Sequence, residues 1–174
     1  MCSGRQFSGG PNIARLAGRL DLDLPTPAGL LPSNRLQIDE CITELMEFRR
    51  DGIGLLGLSF KPGTDDLRES PMVTVVETLL GRGATVRIHD PSLNLTKLVG
   101  SNLRYIQTEI PHIANLLHGS AAEVVQASQA IVVAHNTPAF QKAVQQTRPQ
   151  QTVFDLVHLP ERELIPARYV GVCW

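Results

Sequence analysis

Apolar and polar positions follow two different periods along the chain from position 52 onward. Short apolar runs bounded by turn residues are typical of buried strands, and apolar positions three or four residues apart are typical of amphipathic helices. The first predicted elements are a strand at Ile53–Phe60, a helix from Pro71 to Gly81 and a strand at Thr85–His89. A short helix at Ala121–Ala127 and a strand at Ala130–Ala134 follow. The last two are a helix from Pro138 to Gln146 and a strand at Thr152–Val157. Such alternation predicts an α/β fold, a Rossmann-like parallel sheet with helices on both faces.

The residues before position 52 follow another pattern. Residues 1–10 contain glycine and serine without periodicity, and they predict a disordered leader. Residues 11–50 predict a helical segment, in which a short helix over Ile13–Leu20 is followed by prolines and then by a longer helix from Ser33 to Phe48. The apolar stripe of the longer helix needs cover, either from the following domain at residues 51–174 or from a second copy of the chain. We therefore predict a long dimerisation helix and a homodimer.

Charge and composition exclude several classes of protein. Sixteen basic and seventeen acidic side chains leave a net charge of -1, so no overall field would attract nucleic acid or an acidic membrane. The longest apolar stretch, Ile53–Phe60, is too short to cross a bilayer, and no signal peptide is visible. Three widely spaced cysteines form neither a disulfide framework nor a zinc site. We expect a cytoplasmic protein that binds neither nucleic acid nor a membrane.

The segment from Gly52 to Gly57 spells G-x-G-x-x-G, a motif with which many proteins bind a dinucleotide. That motif needs its glycines between a strand and a helix, so that the N-terminus of the helix meets the pyrophosphate. Here a predicted helix precedes the glycines, a predicted strand contains them, and the next helix starts only at Pro71. The glycines therefore predict close packing of helices on a central strand rather than a cofactor site.

The most informative segment, Phe60–Pro71, follows the end of the first predicted strand, where open α/β sheets bind their ligands. Lys61 could attract a phosphate as a point charge, and Arg68 could hold phosphate or ribose oxygens with two hydrogen bonds. Three acids of the segment could orient these cations or cap the following helix: Asp65, Asp66 and Glu69. The spacing by itself is also compatible with a solvated loop of local ion pairs.

This segment reads Phe-Lys, then Gly-Thr-Asp-Asp, then Arg-Glu-Ser-Pro. It resembles the C-terminal nucleotide-sugar-binding domain of the UDP-glucose/GDP-mannose dehydrogenase family, and within that family the GDP-mannose branch. The likeness covers nearly everything from Pro11 onward, including Ile110–His112, Asp155–Val157 and the carboxyl end Gly171–Trp174. The resemblance implies a domain that binds a nucleotide sugar, GDP-mannose or UDP-glucose.

The resemblance also implies roles for individual residues. In such enzymes an N-terminal Rossmann domain holds NAD, and a cysteine nucleophile serves two hydride transfers that oxidise a sugar hydroxyl to a carboxylate. By position in the motif, Phe60 and Lys61 are similar to residues that contact the substrate, and Arg68 is similar to the residue that reaches NAD across the domain cleft. The other implied substrate-binding positions would shape the loop: Gly63, Thr64 and Asp65.

The chain departs from the family at the nucleophile. The family motif is Gly-Gly-Ser-Cys-Leu-Pro-Lys-Asp, whereas this chain has Gly9, Gly10, Pro11 and Asn12 in succession, and Cys2 lies outside that frame. We expect a fragment of an NAD-dependent oxidoreductase that lacks the NAD domain, holds no NAD by itself and is not catalytic alone. The alternatives are an interaction module with a vestigial nucleotide pocket, and a dehydrogenase whose NAD domain comes from a separate chain.

Two other strand ends contain candidate groups. Asp90, at the end of the second strand, is either a ribose ligand or part of a strand-ending Asp-Pro turn. His135 and Asn136, at the end of the third strand, could line the same cleft. No pair of ligands close in the sequence supports a zinc site formed by His89, His135 and His158, so we predict no metal site.

Overall fold

The computed structural model describes residues 36–68, 70–93, 106 and 110–172. The leader and the Ile13–Leu20 helix lie outside the described residues, as do these single positions discussed above: Cys2, Ser33, Glu69, Cys173 and Trp174. Within the described ranges, no helix combines the length and the apolar character that a membrane span requires.

Five parallel strands in the described part of the chain form one sheet. They are β1 (Ile53–Leu56), β2 (Val86–His89), β3 (Ala130–Val133), β4 (Thr152–Asp155) and β5 (Arg168–Gly171). The order across the sheet is β2-β1-β3-β4-β5, and every neighbouring pair is parallel. The register aligns the last residue of β1 with the last residues of β2 and β3, so the carboxyl ends of these strands share one edge.

Helices cover both faces of this sheet. They are α1 (residues 36–45), α2 (Pro71–Gly81), α3 (Ala121–Gln126) and α4 (Pro138–Val144). Short 3-10 helices lie at Met46–Phe48, Pro111–Asn115 and Arg162–Leu164. The buried side chains of α1 and α2 belong to one hydrophobic cluster, and those of α3 and α4 belong to another. The predicted Rossmann-like α/β fold with helices on both faces is thereby confirmed.

The strands connect the two clusters because successive side chains of a strand point to opposite faces. Leu55 and Val132 are buried in the α1/α2 cluster, whereas Leu56 and Val133 are buried in the α3/α4 cluster. Burial on both faces explains why the central strands appear in the sequence as continuous apolar runs rather than as alternating patterns.

The apolar stripe of α1 packs against the sheet of its own chain. Ile42 and Leu45 are fully buried in the α1/α2 cluster, and the Phe48 ring meets the Phe154 ring edge-on at 6.1 Å between centroids. Leu36, by contrast, is 63% exposed. The described part of this helix covers residues 36–45, before the 3-10 turn, and both the predicted helix length and the homodimer stay predictions.

Two predicted strands extend at least two residues too far, and both corrections have a local cause. β1 ends at Leu56 rather than at Phe60, because Gly57 has a φ of 97° and the next two amides donate to the Asp90 side chain instead of to a strand. β4 ends at Asp155 rather than at Val157, because the Val157 N–H donates to the Asp155 carboxylate at 2.8 Å.

The sequence did not predict β5. Its two end residues are exposed and its two middle residues are half-buried, so it contains no apolar run of the kind that marks the central strands. It joins the sheet through its pairing with β4, which aligns Thr152 with Arg168.

Candidate functional site

The strand order changes direction between β1 and β3. The chain leaves β1 for β2 on one side and then returns across β1 to form β3 on the other side. In open parallel sheets this arrangement leaves a crevice at the carboxyl edge, which is where such sheets bind ligands. The segments after β1 and β3 meet at this edge, since the His135 ring lies 2.8 Å from the Ser59 carbonyl. The crevice is therefore the candidate site.

All six site residues proposed from the sequence lie in one segment at this edge. Residues 57–70 connect β1 to α2 and are termed the β1–α2 loop. Each of the six residues is exposed or half-buried, and so accessible to a ligand: Phe60, Lys61, Gly63, Thr64, Asp65 and Arg68. The structure thus brings the six together, whereas their individual roles stay predictions.

Internal hydrogen bonds give the β1–α2 loop its shape. The Phe60 N–H donates to the Asp66 carbonyl at 2.9 Å, which closes the tip of the loop. Within the tip, the N–H and the hydroxyl of Thr64 donate to the Lys61 carbonyl at 3.2 and 2.8 Å. Gly63 turns the chain between them with a φ of 78°, a conformation that glycine adopts without steric penalty.

The two cations of the loop have different surroundings. Arg68 forms two hydrogen bonds with the Asp66 carboxylate, at 2.8 and 3.0 Å. This side-chain hydrogen bonding lowers the pKa of Asp66 and raises the pKa of Arg68. The Lys61 Nζ lies 5.6 Å from the centre of the Phe60 ring, and no carboxylate of the described residues pairs with it. Lys61 therefore presents a positive charge at the crevice that Asp66 does not neutralise.

Asp90 anchors the start of the loop from the end of β2. One carboxylate oxygen accepts hydrogen bonds from the Leu58 N–H at 2.9 Å and from the N–H and hydroxyl of Ser59 at 2.9 and 2.8 Å, while the other accepts the Ser92 N–H at 2.9 Å. Burial raises the pKa of Asp90, but these hydrogen bonds outweigh burial and lower the pKa below its usual value. Because its side chain is 0% exposed, Asp90 is not positioned to contact a ribose, and the alternative of a strand-ending turn is the one the structure supports.

His135 occupies the point where the strand order changes. Its Nε2–H donates to the Ser59 carbonyl at 2.8 Å, and its Nδ1 lies 4.0 Å from the Asp90 carboxylate. The ring fills the space beside Gly57, where an added Cβ would lie 2.6 Å from the imidazole. His135 is therefore buried beneath the crevice rather than lining it, whereas Asn136 is exposed.

Ser70 directly precedes α2, where a serine is expected to cap the helix, but its side chain does not do so. Its hydroxyl instead donates to the Leu58 carbonyl at 2.7 Å. This bond joins the two ends of the β1–α2 loop, because Leu58 precedes the loop tip and Ser70 follows it. The proline at the first position of α2 lacks an N–H, so the helix start has one donor fewer to satisfy.

The histidines considered for zinc make other contacts. His89 Nδ1 donates to the His118 carbonyl at 2.9 Å, and its ring meets the Phe140 ring edge-on at 6.0 Å. His135 donates to Ser59, as described above. Across the described ranges, no group of three or more His, Cys, Asp or Glu side chains could hold a metal ion.

The glycine motif at 52–57 does not fit a dinucleotide. Gly54 lies within β1, and a Cβ there would be 2.7 Å from Val124 of α3 and 2.9 Å from the Ser128 hydroxyl. The space above Gly57 is taken by His135, and the helix after β1 begins only at Pro71. The helix that follows β1 therefore does not begin at these glycines, which agrees with close packing rather than with a cofactor site.

A second buried carboxylate ends the neighbouring strand β4. Asp155 accepts the N–H groups of Val157 and Leu159 at 2.8 and 2.6 Å and the hydroxyl of Tyr169. Burial and this hydrogen bond raise the pKa of Tyr169. The bonds shape the segment after β4, in which His158 adopts a φ of 57°. This network was missed in the sequence, because Tyr169 belongs to the strand that was not predicted.

The buried hydrogen bonds of two serines of the site were also not predicted. Ser59 and Ser70 are both buried and both connect the β1–α2 loop to its surroundings. The available signal was a polar residue, Ser59, within an otherwise apolar run at a strand end. Burial of a hydroxyl requires a hydrogen-bond partner, so such a residue indicates a buried polar contact without identifying it.

Comparison with known proteins shows that the chain is similar to part of the nucleotide-sugar dehydrogenases. A sequence model described as "UDP-glucose/GDP-mannose dehydrogenase family, UDP binding domain" matches residues 54–161. The GDP-mannose 6-dehydrogenase of Pseudomonas syringae pv. tomato is 35% identical over 159 residues, which cover 91% of this chain and 36% of that protein. The chain thus spans about a third of the length of this curated relative.

Solved structures agree with the sequence comparison. A ternary complex of GDP-mannose dehydrogenase from Pseudomonas aeruginosa has a TM-score of 0.79 at 35% identity, over 96% of this chain and 39% of that one. A UDP-glucose dehydrogenase from Pyrobaculum islandicum has a TM-score of 0.67 at 25% identity, over 93% of this chain and 35% of that one.

Proposed function

This chain belongs to the UDP-glucose/GDP-mannose dehydrogenase family, and on that premise we propose that its carboxyl-edge crevice binds the nucleotide of a nucleotide sugar. GDP-mannose is the favoured ligand, because the GDP-mannose enzymes are similar over 91% of the chain. UDP-glucose is the alternative, since the matching family model includes UDP-glucose enzymes. The oxidation of the sugar would be an activity of the whole dehydrogenase, to which this domain contributes binding.

The observation that carries this proposal is the exposed Lys61 in the loop that follows the central strand β1, without a carboxylate partner among the described residues. A nucleoside diphosphate requires positive charge at its phosphates, and lysine supplies it as a compact point charge. The half-buried Phe60 ring beside Lys61 offers an apolar surface to the ribose or the base. The loop tip that contains Gly63, Thr64 and Asp65 would surround the sugar nucleotide.

Arg68 is proposed as a contact to NAD held by another domain of the same dehydrogenase. Its guanidinium is exposed and held by Asp66, so it is oriented and still open to solvent on its other side. Two parallel N–H donors suit the phosphate or ribose oxygens of a dinucleotide. The glycines at 52–57 do not fit a pyrophosphate, so we assign no NAD binding to this chain alone.

Calorimetric titration of the chain with GDP, GDP-mannose, UDP, UDP-glucose and NAD tests the proposal. We expect heat of binding for the guanine nucleotides and weaker or no binding of NAD. If a uracil nucleotide saturated the chain instead, the proposed base would be wrong but the proposed site would stand. Absence of binding for all four guanine and uracil ligands at millimolar concentration would contradict the proposed function.

Replacing Lys61 with glutamine is expected to weaken GDP binding roughly tenfold or more, because a charge-assisted contact to phosphate contributes about 1.5–3 kcal/mol. The matched control is Lys142→Gln, which removes an exposed lysine from the last turn of α4. Titration of both variants measures the difference. Equal losses in the two variants would mean that net charge, and not the position of Lys61, controls binding.

We also propose a homodimer formed through the Ser33–Phe48 helix, with Leu36 as the exposed apolar contact. Size-exclusion chromatography with light scattering is expected to give twice the chain mass, and Leu36→Glu should lower the dimer fraction. Leu164→Glu is the matched control, because Leu164 is also a large exposed apolar side chain but lies in another part of the surface. A monomer at high concentration would refute the homodimer.

A further inference from the structure

The peptide group that leads into Phe60 is held from both sides. Its carbonyl, which belongs to Ser59, accepts the Nε2–H of His135 at 2.8 Å, and its N–H, which belongs to Phe60, donates to the Asp66 carbonyl at 2.9 Å. The orientation of a peptide plane determines where the next side chains point. The directions of Phe60 and Lys61 therefore depend on a hydrogen bond from a residue that follows another strand, β3.

Of these two bonds, only the one from His135 comes from outside the loop. Asp66 belongs to the β1–α2 loop itself and would move with it. His135 follows β3 and is only 5% exposed. Its ring packs against Gly57 and fills the space that a side chain at this position would need. Because His135 is buried, its bond to Ser59 is shielded from solvent and gives the loop a fixed external reference.

We propose that His135 is a positioning residue for ligand binding: by holding the Ser59 carbonyl, it sets the conformation in which the β1–α2 loop presents Phe60 and Lys61 to a nucleoside diphosphate. The inference rests on the proposed function, because it assigns a role within the same site. His135 itself lies beneath the crevice and does not contact the ligand. It acts through the backbone, and its effect is on the affinity of the loop.

Three variants separate positioning from packing. His135→Phe keeps a ring beside Gly57 and removes the hydrogen-bond donor. His135→Leu also removes the donor but has a smaller side chain, so the result does not depend on how well a phenyl ring fits. His135→Gln keeps an amide N–H close to the position of Nε2. For each variant we would measure the affinity for GDP by calorimetry, the melting temperature, and amide hydrogen exchange of residues 59–68 by mass spectrometry without ligand.

We expect His135→Phe and His135→Leu to bind GDP roughly tenfold more weakly, the change that corresponds to one lost buried hydrogen bond. Hydrogen exchange should accelerate in residues 59–68 and stay unchanged in the core strands. His135→Gln should recover most of the affinity and of the protection. The proposal is overturned if both donor-free variants bind GDP as the native chain does, or if His135→Gln is as weak as they are.

The hydrogen-exchange measurement needs no ligand, so it tests this inference independently of the proposed function. If the native chain binds none of the nucleotides, the proposed function fails, and the exchange of residues 59–68 alone decides whether His135 orders the loop. Selective acceleration in the donor-free variants with recovery in His135→Gln would then support the loop-ordering role. Unchanged exchange, or a uniform increase over the whole domain, would refute it.

Discussion

Replacing Asp90 with alanine is expected to lower the free energy of unfolding by about 3–5 kcal/mol, because it leaves several buried donors without an acceptor. The donors are the N–H groups of Leu58, Ser59 and Ser92 and the hydroxyl of Ser59. Each bond involves a charged acceptor, which makes it stronger than a bond between neutral groups. Urea denaturation of the native chain and the variant measures the difference.

The matched control for this prediction is Asp66→Ala. Asp66 is also an aspartate with several hydrogen bonds, but it and its partner Arg68 are exposed. Exposed ion pairs contribute little to stability, so the free energy of unfolding measured with urea should remain close to that of the native chain. If Asp66→Ala destabilised the domain as much as Asp90→Ala, the buried position of Asp90 would not be the cause of its effect.

The contribution of Asp90 should also depend on pH in one direction. Its pKa is lower in the folded chain than in the unfolded chain, so the unfolded state takes up the proton first as the pH falls. The stabilisation is therefore complete above the unfolded aspartate pKa of about 3.9 and is lost as the pH falls through the lower folded value. Compared with Asp90→Asn, the native chain should lose its advantage only in that acidic range. A constant advantage down to the lowest pH would contradict the assignment.

Replacing Phe140 with alanine is expected to lower the free energy of unfolding by about 3–5 kcal/mol, through lost burial and the cavity that remains. Phe140 is 0% exposed, lies in the α3/α4 cluster, and contacts the His89 ring edge-on. A loss of this size corresponds to a decrease in melting temperature of roughly 10 °C in a domain of this length. Differential scanning calorimetry measures it.

Phe60→Ala is the matched control, because it makes the same substitution but is expected to change nucleotide binding rather than stability. Phe60 is half-buried and stands on the β1–α2 loop, outside both hydrophobic clusters. Its removal should weaken nucleotide binding and leave the melting temperature nearly unchanged. If Phe60→Ala lost stability and kept its affinity, Phe60 would serve the packing of the loop and not the ligand.

The sheet could be predicted to the extent that its strands are buried on both faces. β1 and β3 are continuous apolar runs because each face of these strands meets a helix, and that pattern is visible without a structure. β5 lies at the edge, with exposed ends, and its membership in the sheet depends on backbone pairing with β4. Backbone hydrogen bonds are the same for every residue type, so they leave little trace in a sequence.

The site could be predicted where its chemistry is contiguous. Lys61 and Arg68 are close in the sequence and follow a strand, so the loop and its cations were found together. Asp90 and His135 were considered as cleft residues and proved to be buried supports of that loop. A polar side chain at a strand end can face the ligand or the protein, and only the packing around it decides between the two.

The sequence by itself determined the alternation of strands and helices and the position of the charged loop after the first strand, because period and spacing are local properties. The tertiary structure alone decided what holds that loop in place. Asp90 and His135 lie 31 and 76 residues from Ser59 and meet its backbone only because β2 and β3 flank β1. Contacts over such separations arise from the order of strands in the sheet, which periodicity does not encode.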